Sequence, residues 1–175
     1  SNHKPAMIWI ESPTNPLLKI IDIEKICNIS NKMQIPVVVD NTFATPLLQR
    51  PLKLGATLSL TSTTKYINGH SDALGGAVCT ESNVWRDKLN FSQKALGLNP
   101  SPFDCWLITR GVKTLPLRLE RQINNASKIA NQLADNPVIK SVRYPFRSDH
   151  PQCKLAKRQM ALGGAIVTAT VKASQ

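Results

Sequence analysis

The chain has 175 residues, 42% of them hydrophobic, 19% charged and 5% aromatic, with a formal net charge of +11 at pH 7. This composition supports a packed core and excludes a disordered chain, and no uninterrupted apolar run is long enough to span a bilayer. The charge raises nucleic acid as a partner. However, the basic residues are scattered, the tightest cluster (Lys154, Lys157 and Arg158) falls on one helical face, and no aromatic platform accompanies it.

In chain order, "AMIWIE" (Ala6 to Glu11) reads as a buried strand, and "SPTNP" breaks it with two prolines. Ile21 to Met33 places apolar residues at helical spacing behind Asp22 and Glu24. "IPVVVD" (Ile35 to Asp40) is a β-branched run suited to a parallel strand covered on both faces. A helix is expected over Pro46 to Leu54, stopped by Gly55, then strands at "TLSLTST" (Thr57 to Thr63) and "GGAVCT" (Gly75 to Thr80). This alternation predicts an α/β fold with a mainly parallel sheet flanked by helices. Ligands in such sheets gather at the carboxyl ends of strands. Glu11, Asp40 and Lys65 all fall at or just beyond strand ends.

The second half reads as a helix over Asn83 to Leu96, a helix capped by "NPSPFD", and a long helix from about Lys113 to Ala134. A strand at "NPVIKSVRYP", a helix over Gln152 to Leu162 and a strand at "GGAIVTATV" follow. Residues 1–134 therefore read as part of one large domain, and 135–175 as the start of a smaller C-terminal α/β domain. The chain opens on Ser1, lacks a secretory signal and runs almost at once into a strand, so it reads as an internal piece of a longer protein. The cysteines at 27, 79, 105 and 153 form no CxxC and no zinc-site spacing. They are expected to be reduced thiols in a cytoplasmic protein without a metal.

Two stretches carry chemistry. In "TSTTKYINGHSD", Lys65 follows Ser62, Thr63 and Thr64, whose hydroxyls can bind an anion. A surface lysine in a Ser/Thr-rich turn explains the stretch equally well. Asp40, closing "VVVD", is by itself explained as a turn former. Taken together they fit pyridoxal phosphate chemistry, which uses an Asp against the pyridinium nitrogen and a Lys on the cofactor aldehyde.

"ESPTNP", "VVVDNTFATPLLQRPLKLGA", "STTKYINGHSDALGG" and "SPFDCWLITRGVKTLPLRLE", in that order, resemble successive motifs of the Cys/Met-metabolism family of pyridoxal phosphate enzymes. That family includes cystathionine γ-lyase, cystathionine γ-synthase, cystathionine β-lyase and methionine γ-lyase. The resemblance implies a fold-type I PLP-dependent transferase-like architecture. It implies that Lys65 carries the cofactor and shuttles protons, Asp40 pairs with the pyridinium nitrogen, and Ser62 and Thr64 bind the phosphate. Asn15 would stand beside the phenolic oxygen, and Thr42 would pack a small side chain on one face of the ring. His70, Ser71 and Asp72 are expected to shape the turn after Lys65, and Arg110 and Lys113 to serve structural pairing and helix capping.

The resemblance leans towards cystathionine γ-lyase through "SPFDC" and "STTKYINGHSD", with the γ-synthase as the alternative and an inactive truncated product as a further one. The implied partners are an amino-acid substrate and further copies in a homotetramer, with neither nucleic acid nor membrane. Family members are longer at both ends. The other ring-stacking aromatic, the phosphate-cradling amides and the Tyr and Arg lent by a neighbouring subunit are expected upstream of Ser1. The arginine for the substrate carboxylate is expected beyond Gln175.

Overall fold

The computed structural model describes residues 4–172. Strands β1 (Ile8–Glu11), β2 (Val37–Asp40), β3 (Leu58–Ser62) and β4 (Gly76–Cys79) form one sheet in that order. The first three run parallel, and β4 closes the edge antiparallel to β3. The β-branched run of β2 occupies the interior of the sheet, and Val37, Val38 and Val39 are all buried, as a strand covered on both faces requires.

Helix α1 (Ile23–Lys32) carries the chain from β1 to β2. It starts where Asp22 accepts the Lys25 backbone N–H at 3.1 Å, and it buries Ile23 and Cys27 against Val37 and Val39. The single helix expected over Pro46 to Leu54 is instead two short pieces, α2 (Thr45–Leu48) and a 3₁₀ turn at Pro51–Leu54. Gln49 between them is extended (φ −143°, ψ 135°). Two causes act together. Pro51 disfavours helical backbone at Arg50, and the Gln49 amide is drawn inward, donating to Ser12 O at 2.7 Å and Asn41 Oδ1 at 2.9 Å.

Helices α3 (Asn83–Leu96), α4 (Pro102–Val112) and α5 (Leu115–Ala134) follow, and α3 ends at Gly97 in the left-handed region (φ 65°). Ser82 and Ser101 cap α3 and α4 through their hydroxyls. The buried residues of α5, Leu115, Leu119, Ile123, Ala126 and Ala130, recur every three or four positions. A second, two-stranded antiparallel sheet joins β5 (Ile139–Arg143) to β6 (Thr168–Val171), with α6 (Cys153–Gln159) between them in sequence. The strand expected over Gly163 to Val171 begins only at Thr168. Gly163 lies against the Tyr144 ring, and the Tyr144 hydroxyl donates to Gly164 O at 2.9 Å.

One apolar cluster joins the two halves, packing Ile20, Ala44 and Leu48 with Leu115, Leu119 and Ile123 of α5 and Ala156 and Met160 at α6. Two glutamine side chains reinforce it. Gln152 exchanges hydrogen bonds with both backbone groups of Ile20. Gln159 accepts from Ile23 N and donates to Ile21 O. This docking fixes the segment from Ser12 to Asp22, which carries Asn15.

Candidate active site

Parallel register sets Glu11 beside Asp40 at the carboxyl ends of β1 and β2. The Glu11 carboxylate accepts the Asn15 backbone N–H at 3.2 Å, so β1 holds the Asn15 loop directly. Asp40 Oδ1 accepts the Thr42 N–H at 3.0 Å, the turn-forming bond that its position invites. Thr42 is buried, and its hydroxyl accepts the Ser62 N–H at 2.8 Å. The last register pair of β2 and β3 is Asp40 with Leu60, Asn41 N still donates to Leu60 O at 2.8 Å, and the Thr42 side chain carries the ladder to Ser62, two residues past that pair.

Beyond Ser62 the chain forms a tight turn, Thr63–Ile67, whose backbone leaves helical values at Lys65 (φ −87°, ψ −120°). Asn68 N donates to Thr63 O at 2.9 Å and Gly69 N to Lys65 O at 2.8 Å, closing it. Lys65 is exposed, and its ammonium has no ion-pair partner among the described residues. It faces a cleft of about 910 Å³ whose lining includes Asn15, Phe43, Thr64, Tyr66, Asp72 and Gln122. Burial pushes the Tyr66 phenol above its ordinary value, so it stays neutral at pH 7.

The structure therefore gathers Asn15, Thr64 and Lys65 on one cleft. Asp40, Thr42 and Ser62 stand at the ends of β2 and β3 and are not among its lining residues. Thr64 has a second engagement. Its hydroxyl accepts Gly75 N at 3.0 Å and donates to Gly75 O at 3.3 Å. The residues after Lys65 shape their own turn: His70 Nδ1 lies 2.7 Å from Asn68 O, and Asn68 Nδ2 donates to Asp72 Oδ1 at 2.7 Å. Lys113 is the C-cap of α4 and Arg110 stands in its last turn, the capping place expected of them, but neither enters an ion pair among the described residues.

Sequence reasoning did not single out Arg118, Gly75 or Gly111, and it named Thr63 only among the hydroxyls before Lys65. Thr63 Oγ1 is buried without a partner, and a Cβ on Gly75 would meet it at 2.7 Å. The glycines were the legible signal, because each marks a close approach between segments far apart in sequence.

The donor set fits a phosphorylated pyridine aldehyde. An unpaired primary amine lines the cleft, a carboxylate oxygen of Asp40 remains beyond the one bound by Thr42, and the hydroxyls of Ser62 and Thr64 precede the lysine. Thr64 can donate to an anion by releasing its long bond to Gly75 O while keeping the N–H of Gly75.

The family of Cys/Met metabolism PLP-dependent enzymes matches residues 1–175. A probable cystathionine gamma-synthase of Herpetosiphon aurantiacus is 48% identical over 166 residues, covering 95% of this chain and 52% of the relative. The cystathionine gamma-lyase of Dictyostelium discoideum is 46% identical over 171 residues, covering 98% of this chain and 44% of the relative. The crystal structure of cystathionine gamma synthase from Xanthomonas oryzae pv. oryzae in complex with cystathionine superposes with a TM-score of 0.95 at 42% identity, covering 98% of this chain and 44% of that one. The chain spans about half the length of the relatives it matches. No helix among the described residues is long and apolar enough to cross a membrane.

Proposed function

The chain belongs to the Cys/Met metabolism PLP-dependent enzymes, whose cofactor is pyridoxal 5′-phosphate, and from that premise we propose that its protein cleaves cystathionine by γ-elimination, giving with water cysteine, 2-oxobutyrate and ammonia. The observation that carries this reading is the unpaired Lys65 amine on its cleft, one strand–helix–strand step after Asp40. When bound, pyridoxal phosphate supplies an electron sink that lets protons leave the substrate at Cα and then Cβ, so that the γ-sulfur can depart.

In this reading Lys65 Nζ would hold the cofactor aldehyde and would carry protons between the substrate carbons. Asp40 keeps the proton on the pyridinium nitrogen. Ser62 Oγ and Thr64 Oγ1 would donate to the phosphate, Asn15 would stand beside the phenolic oxygen, and Thr42 would offer a small side chain to one ring face. Glu11 acts at one remove by holding the Asn15 loop.

A γ-synthase, joining cysteine to an activated homoserine, is the second reading, favoured by the 48% identical relative of that name. The lyase is preferred on the "SPFDC" and "STTKYINGHSD" stretches. The proposal extends to a cytoplasmic homotetramer of the full-length protein, with residues 1–134 in a large cofactor domain and 135–175 opening a smaller one. The separate sheets on either side of α5 support that division.

The test is to mix the chain with pyridoxal phosphate, reduce with borohydride and map the pyridoxyl group by mass spectrometry. Selective label on Lys65, lost in Asp40→Ala, is the expected result. Label absent, or spread over many lysines, sinks the assignment. In the full-length protein, release of 2-oxobutyrate from cystathionine separates lyase from synthase.

A further inference from the structure

Arg118 has an environment unlike that of any ordinary surface arginine. Its Nη1 donates to Tyr66 O at 2.9 Å, and its Nη2 reaches Ile67 O at 3.3 Å, Asn68 O at 3.5 Å and Gly111 O at 2.8 Å. Its Nε donates to Thr114 Oγ1 at 3.0 Å. No carboxylate pairs with it among the described residues. The guanidinium is therefore spent on four carbonyl oxygens and one hydroxyl, and three of the carbonyls follow Lys65 consecutively in the chain.

The surroundings are cut to admit it. A Cβ on Gly69 would lie 2.0 Å from Arg118 Nη1, and one on Gly111 would lie 2.2 Å from Asn68 O. Gly69 also holds a positive φ of 75°, a conformation glycine reaches without penalty. These two glycines let the turn after Lys65, the end of α4 and the first turns of α5 meet around one fork of donors. The contact spans some fifty residues of sequence, since Arg118 and Tyr66 are 52 positions apart.

We propose that Arg118 is a positioning residue for Lys65: it locks the carbonyls of residues 66–68 and so fixes the turn that aims the Lys65 amine. The proposal rests on the reading of Lys65 as the cofactor lysine. The rigid fork reaches five acceptors, whereas a lysine, with three donors on a flexible stem, cannot satisfy them all.

The variant to make is Arg118→Lys in the same chain, with two readouts. One is the rate of borohydride-trapped pyridoxyl label on Lys65 as a function of pyridoxal phosphate concentration. The other is amide hydrogen exchange across residues 65–69 without cofactor. The maximal labelling rate is expected to fall about tenfold, the scale of one lost charge-assisted hydrogen bond. The half-saturating concentration should stay unchanged, and exchange at 65–69 should quicken.

Should Arg118→Lys unfold, Thr114→Val removes the Nε acceptor together with the Thr114 hydroxyl's own bond to Gly111 O at 3.2 Å, leaves the carbonyl contacts of Arg118 in place, and gives a smaller change in the same direction. Wild-type rates of label and exchange in the folded variant overturn the role of Arg118 alone. Faster exchange with an unchanged labelling rate also overturns it, because the contact is then merely structural. Absence of label in the wild-type chain removes the cofactor reading, and this proposal with it.

Discussion

The Thr42 hydroxyl accepts the backbone N–H of Ser62 at 2.8 Å, two residues past the last register pair of β2 and β3, Asp40 with Leu60. Two of the proposed cofactor residues are thus joined to each other before any cofactor arrives. Because Thr42 N in turn donates to Asp40 Oδ1, the carboxylate and the strand leading to Lys65 share one short chain of hydrogen bonds.

Thr42→Val keeps the shape of the side chain and removes the acceptor. The Ser62 N–H is left without its partner, at a cost of about 1–3 kcal/mol. Urea unfolding should show that loss. Lys65 labelling should weaken as well, since β3 then ends less firmly. An unchanged urea midpoint would show that the bond is dispensable.

Gly111→Ala tests the contact between α4 and the turn after Lys65. The new Cβ would lie 2.2 Å from Asn68 O and 2.9 Å from Asn68 C, and both are backbone atoms with little freedom to yield. Overpacking of this kind costs about 1–3 kcal/mol or more. A lowered melting temperature together with reduced label on Lys65 is expected. Gly97→Ala has open space around its Cβ position but a positive φ of 65°, so it should lower the melting temperature through backbone strain while leaving the labelling unchanged.

His150 predicts a pH dependence of stability. It is buried, accepts the Gln152 N–H on Nδ1 at 3.1 Å, and so carries its proton on Nε2, which donates to Leu18 O at 3.1 Å. Burial lowers its pKa; the bond to Leu18 opposes this, Arg143 adds to it, and Asp149 opposes it. The folded state therefore prefers neutral His150. Its contribution is whole above the unfolded value of about 6.5 and is lost as pH falls through the lower folded value. The urea midpoint should drop as pH falls from about 7.5 to about 5, where exposed carboxylates remain ionised. His150→Gln should flatten that slope. An equal slope in both proteins would refute the assignment.

Asp22 makes the opposite kind of prediction. Burial raises its carboxyl, but the Lys25 N–H and Arg158, whose Nη2 lies 2.7 Å away, outweigh burial and leave it below the ordinary value. A depressed carboxylate contributes stability above its unfolded value of about 3.9, and that stability is lost as pH falls through the folded one. Asp22→Asn keeps the helix cap and removes the ion pair between α1 and α6. Arg158 is 60% exposed, so the loss at pH 7 is at most about 1 kcal/mol and shrinks in salt. The difference between the two proteins should vanish in acid.

Much of this was legible in the chain itself. The β-branched run before Asp40, the "NPSPFD" cap before α4 and the helical spacing of Ile21 to Met33 each name their element, because each is a local preference of a few neighbouring residues. The order of motifs around Asp40 and Lys65 named the family for the same reason. Local rules failed at Gln49, where a helical pattern gave way to an extended residue. There a side chain pulled towards Ser12 and Asn41 outweighed helix propensity.

What the sequence by itself determined is the order of strands and helices, the membership of the family, and the residue types offered at each strand end. Only the tertiary structure decided which of them meet. Arg118 rather than Arg110 or Lys113 grips the Lys65 turn, the Thr42 hydroxyl carries the ladder on to Ser62, and Gln152, Gln159 and His150 hold the segment bearing Asn15. These contacts join residues from 20 to more than 130 positions apart. Their partners are mostly backbone carbonyls and N–H groups, which every residue type supplies, so no local pattern marks them.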